Sequence, residues 1–143
     1  MEPWTETAAY ATVSILFFLL SFFADDDDWL ASIGCTGALV SFWALNLFLW
    51  LMGVVESWSI IGDLTFGFGF AAVYMRHRRR WLLALVGLFV VNVALDGLKM
   101  VNAIDYRPWA WAGNVTFLGQ LACASFPGLK GVVRRIFLID PAL

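Results

Sequence analysis

The sequence predicts an all-α integral membrane protein: a compact bundle of five transmembrane helices, with no soluble domain. Two observations carry this. Of 143 residues, 62% are hydrophobic and 14% are charged, against about 25% charged in an ordinary soluble domain. Mean hydropathy is +0.80, and a chain this short has too small an interior to hide so much apolar surface from water. The apolar residues also fall into five runs, at 8–24, 29–53, 58–75, 81–102 and 109–129. Only helices and closed barrels cross lipid, and these runs lack the alternating pattern of barrel strands.

A span needs about 20 residues, within a range near 17–25. The first run is short and follows MEPWTETAAY, which has two acids and no base. A signal peptide needs a basic leader, so this reads as a span. The second is long enough to tilt and follows Asp25, Asp26, Asp27 and Asp28. Four adjacent carboxylates are hard ligands for a divalent cation. The plainer reading is a solvated stop in which Asp28 caps the next helix. The third run is short and is interrupted by Gly62, Gly67 and Gly69. Small residues let helix backbones approach, so these glycines read as a packing seam; a broken helix beside a transport site is the sharper alternative. The fourth and fifth runs are ordinary spans. Residues 130–143 mix Val, Ile and Phe with two arginines, which suits a cytoplasmic interfacial tail. Short connections imply antiparallel neighbours, so residues 1–143 read as one domain.

Orientation follows from the bases. Arg76, Arg78, Arg79 and Arg80 cluster between the third and fourth runs, and Lys130, Arg134 and Arg135 follow the fifth. Both groups fall on one side of a five-span chain, and the positive-inside rule makes that side cytoplasmic. The N-terminus is then outside and the C-terminus inside. The arginine cluster also suits anionic lipid headgroups. Trp4, Trp29, Trp50, Trp58, Trp81, Trp109 and Trp111 lie near run ends, where an indole prefers the interface. Only Trp43 lies mid-run.

The polar residues inside the runs are not scattered. Counting about 1.5 Å per residue from Trp81 puts Asn92 near the midplane, with Asp96 and Lys99 about 6 and 10 Å further out. Spacings of four and three place all three on one helix face. Asp63 comes out at a similar level, about 8 Å deep from the outer side. Gln120 falls mid-span, with Asn114 and Asn46 in outer halves and Glu56 in an outer loop. A charge in lipid costs about 2.5–3.5 kcal/mol on insertion scales, so such groups face protein or water and pair. Lys99 is expected to pair with Asp96 or Asp63, or to extend outward to the interface. The cluster Asp63, Asn92, Asp96, Lys99 and Gln120 is therefore either a packing seam or a solute and proton site.

Covalent chemistry is poorly provided for. The one histidine, His77, lies among arginines, which excludes bis-histidine haem within one chain and disfavours a histidine metal site. No serine has plausible triad partners, and GFGF lacks the strand and Lys-Ser/Thr of a phosphate loop. Cys35 and Cys123 are far apart in sequence, with no CxxC, and read as buried small residues. No cofactor, metal or nucleic acid is expected. Five runs and many tryptophans invite comparison with the tryptophan-rich sensory protein family, whose proline-rich WxPPxW-type loop is absent here. A likeness to phage holins is one of size and charge alone.

The sequence thus points to a non-enzymatic structural or accessory subunit of a larger membrane assembly, homo- or hetero-oligomeric. Its partners would be the lipid bilayer and other membrane subunits or further copies of the chain. Bacterial inner membranes and viral membranes both suit it. The alternative is a small transporter, channel or holin-like pore that uses the outer polar face. The topology is directly testable. With both native cysteines replaced by serine, Arg79→Cys in sealed cells resists a membrane-impermeant thiol reagent. Ready labelling from outside inverts the orientation.

Overall fold

Short, polar or strained connections divide the chain into helices. In a computed structural model, which describes residues 3–53 and 57–137, these are α1 (Pro3–Ser21), α2 (Asp26–Leu51), α3 (Ser57–His77), α4 (Arg80–Met100) and α5 (Tyr106–Phe137). No strand occurs among the described residues. Two of the helices, α2 and α4, are long and apolar enough to cross a membrane. The apolar part of α1, Thr5–Ser21, is shorter. The polar interruptions concentrate in α3 and α5, which carry Asp63, Thr65, Asn114, Thr116 and Gln120. Glu56 and the end of the tail, 138–143, lie outside the described residues.

The helix ends differ from expectation in two places, each with a local cause. Asp25, not Asp28, is the N-cap of α2, and its side chain makes no capping hydrogen bond. Asp26, Asp27 and Asp28 form the first turn instead, where carboxylates complement the positive end of the helix dipole. At the other end of the chain, no separate tail helix begins after 129. α5 continues unbroken to Phe137 with Pro127 inside it. Proline there removes one helical N–H. One residue after the carbonyl left without that donor, Ser32 Oγ on α2 donates to the Ala124 carbonyl at 2.7 Å.

Between α3 and α4 the turn is only two residues long. Arg78 takes the left-handed conformation, φ 50°, a position usually given to glycine. Its N–H donates to the Tyr74 carbonyl at 2.7 Å and closes α3. The arginines then meet the aspartates at one end of the molecule. Arg79 contacts Asp28 at 3.0 Å and Asp27 at 3.8 Å, and Arg134 contacts Asp25 at 3.3 Å. These pairs are solvent-exposed in part, so each is worth at most about 1 kcal/mol. They still show that three of the four acids, Asp25, Asp27 and Asp28, face arginines rather than water alone.

α5 is the central helix, packing on α1, α2 and α4, while α3 packs mainly on α4 and touches α2 little. The buried apolar cluster includes Leu39, Leu82, Leu85, Phe89 and Leu121. Trp81, at the start of α4, joins it. A ladder of rings, Phe42–Phe66 at 4.6 Å, Phe66–Phe70 at 6.2 Å and Phe70–Phe89 at 5.2 Å, ties α2, α3 and α4. Hydroxyls fill the rest of the interior: Ser21 and Thr36 share a hydrogen bond of 2.9 Å between α1 and α2.

The closest helix approach is not on α3. A side chain at Gly128 would collide with the backbone of Leu20 and Ser21, and one at Gly131 with the carbonyl of Phe23. On α3, Gly62 faces the ring of Phe42, Gly67 makes ordinary contact with Phe89, and Gly69 faces open space. Only the first of these three is a tight seam. Gly128→Leu therefore forces α1 from α5 and lowers the melting temperature, equivalent to at least about 3 kcal/mol, the upper range for overpacking. Gly69→Ala leaves melting unchanged or slightly raised, because alanine favours the helix. Equal tolerance at both positions would contradict this packing.

Candidate functional site

At the end of the molecule away from the arginines, α2, α3, α4 and α5 surround a cavity of about 410 Å³. Each supplies polar groups because each carries one or two polar residues at that level: Asn46, Asp63, Asn92, Asp96, Asn114 and Gln120. Four of the five residues in the expected cluster are thus brought together. The spacing of four on α4 does what helical geometry requires, with Asn92 and Asp96 on the same wall. Between these polar groups stand Phe42, Trp43, Trp50, Tyr106, Trp109 and Phe117.

Lys99 is the member that departs. Its ammonium lies over the ring of Tyr106, 5.7 Å from the centroid, and it does not line the cavity. The expected pairing with Asp96 or Asp63 is replaced by a cation–π contact. Lys99 sits only one residue before the end of α4, and its flexible stem reaches the start of α5 with its head half-exposed. Asp63 meets Asp96 instead, carboxyl to carboxyl across α3 and α4, and also the Asn92 side chain. Asp96 in turn accepts the Trp109 indole N–H at 2.9 Å. The sequence placed Trp109 at an interface; its N–H finds its partner inside the protein.

The site is buried but not self-sufficient. Asp63 is 6% exposed, Asp96 7% and Gln120 2%. Asp63 Oδ1, Asn92 Oδ1 and Gln120 Nε2 are buried without any hydrogen-bond partner. Leaving a buried donor or acceptor unmet costs about 1–3 kcal/mol. Water or a bound group ordinarily meets such atoms where they border a cavity. Among the described residues no group of three His, Cys, Asp or Glu side chains is placed to hold a metal ion. Cys35 and Cys123 are free thiols.

A second hollow, about 530 Å³, runs between α2 and α3 in the half nearer the arginines. It is almost wholly apolar, edged by Asp27 and His77, and Gly34 and Gly69 face into it. An added methyl at either glycine would touch nothing within 4 Å. Neither Gly34 nor this groove was legible in the sequence, since a lone glycine in an apolar run does not say which neighbour is missing.

Compared with models of protein families, with curated proteins and with solved structures, the chain matches none of them. Its reading therefore rests on its own residues. The Trp109–Asp96 bond gives a direct check. Trp109→Phe removes one donor from a buried carboxyl and destabilises the protein by about 1.5–3 kcal/mol, the usual range for a bond to a charged group. Lys99→Met, which removes a half-exposed contact, changes stability by less than about 1 kcal/mol. Chemical denaturation in micelles separates the two, and the reverse order would dislodge Asp96 from its place as the anchored acid.

Proposed function

We propose that the chain is a multi-pass integral membrane protein of five spans, with the arginine end cytoplasmic, and that it works without covalent chemistry as a subunit of a larger membrane assembly. Support for the membrane reading comes from the surface. Exposed large apolar side chains, among them Leu16, Leu30, Phe48, Phe68, Val90 and Ile136, far outnumber the buried ones. Only 22% of the apolar stretch of α2, and of α4, is buried within the protein. A core helix of a soluble protein would be mostly covered, and continuous exposed apolar surface of this extent needs lipid or partners. The bases gathered at one end supply the orientation.

The observation that carries the subunit reading is the α2–α3 groove. It is apolar, unfilled, and floored by two glycines with open space above them. In lipid, faces of small residues are where another helix packs closely. The occupant that fits is an apolar helix of a second copy or of another membrane chain.

A second reading has its own observation. The acid-lined cavity with three unpartnered polar atoms favours a solute site, and with it a small transporter or channel.

The assembly reading predicts that the gently solubilised protein has the mass of a defined oligomer, or copurifies with other chains. Gly69→Leu, placing bulk in the groove, reduces that mass to a single chain while helix content and melting are retained. A wild-type protein that is already a lone chain in mild detergent removes the subunit reading.

A further inference from the structure

We propose that the cavity between α2, α3, α4 and α5 binds a small organic cation, an alkylammonium or guanidinium group on a short apolar body. The inference deepens the second reading above and rests on its view of the cavity as a solute site. Charge is the first ground. Two carboxyl groups, Asp63 and Asp96, face the cavity, and no lysine, arginine or histidine lines it. The nearest base on α4, Lys99, is held outside over Tyr106. Two carboxyl groups in contact in a poorly solvated place cannot both ionise without a counter-charge, and a cation between them supplies it.

Hydrogen bonding is the second ground. Asp63 Oδ1 and Asn92 Oδ1 are buried acceptors without donors. An ammonium or guanidinium brings several N–H groups and no acceptor, so it meets what these atoms lack. Gln120 Nε2 is also unmet; its amide, rotated by 180°, presents oxygen to the same space.

The walls are the third ground. Trp43, Trp50 and Trp109, with Phe42 and Phe117, line the cavity. Ring faces attract cations, tryptophan most strongly, by up to about 2 kcal/mol when water is excluded. They equally suit the apolar body of an organic ion. A bare metal ion fits poorly, because hard cations want six or more closely set oxygens, whereas this cavity of about 410 Å³ has the size of a small-molecule pocket.

Benzylammonium tests the idea, with benzyl alcohol as the neutral match and calcium as the metal control. Calorimetric titration of the whole protein in a non-ionic detergent is expected to give saturable binding of benzylammonium alone. Asp63→Asn weakens it by about tenfold or more, corresponding to about 1.4 kcal/mol, and Trp43→Leu weakens it while the fold is kept. Should Asp63→Asn fail to fold, Asn46→Lys, which places a base on the cavity wall, abolishes binding. Equal binding of the alcohol, preference for calcium, unchanged affinity in these variants, or no saturable binding each overturns the proposal. Flux in sealed vesicles is read separately. Binding without flux upholds the ligand chemistry and removes the transport reading.

Discussion

Gly128 and Gly131 let α5 lie against the backbone of α1, and the remaining arrangement depends on that approach. With any side chain at these positions, the carbonyls of Leu20 and Phe23 would be displaced. Because α5 comes so near α1, Ser32 on α2 can reach the Ala124 carbonyl, and Ser21 can meet Thr36. Small residues and hydroxyls thus make one half of the molecule dense. The same contacts bring Arg134 to Asp25, so the charged end is ordered by packing more than by its weak ion pairs.

The other half is built on the opposite principle. There α5 presents Trp109, Asn114, Phe117 and Gln120, which are too large to let helices close. The space between them remains as a cavity, and the acids on α3 and α4 turn into it. One rigid bond, from the Trp109 indole to Asp96, holds the start of α5 to the end of α4. Asp63 is then placed against an acid that is already fixed. The dense part sets the geometry, and the open part is free to be polar.

Much of this was legible in the sequence, and the reasons are geometric. A constant rise per residue assigns each residue a level along its helix. Asp63, Asn92, Asp96 and Gln120 could therefore be grouped before any contact was known. The number of helices and the gathering of arginines at one end followed from apolar runs and short connections. What the sequence did not carry was lateral order. Nothing in an apolar run says which helix is central, so α5 and its Gly128–Gly131 contact were missed while α3 was credited with the seam. The partners of long side chains were not legible for a similar reason. Lys99 and Trp109 each have a partner chosen by reach across the α4–α5 turn, not by spacing along one helix. Five spans are a reading of surface and sequence together, since among the described residues α2 and α4 alone meet the length and apolarity of a span outright.

As a structural lock the polar cluster is only half made. The Trp109–Asp96 bond contributes on the order of 1.5–3 kcal/mol, but three buried atoms beside it have no partner, at about 1–3 kcal/mol each. Their combined cost is at least as large as the gain from that bond. Replacing the acids by well-packed apolar residues would be the simpler way to hold α3 to α4, as with other buried charged groups. The donors that Asp63 and Asn92 lack come from water or from a molecule in the cavity such as the organic cation proposed above. The packing tolerates these polar residues, and the glycine contact at the far end supplies stability that tolerating them requires.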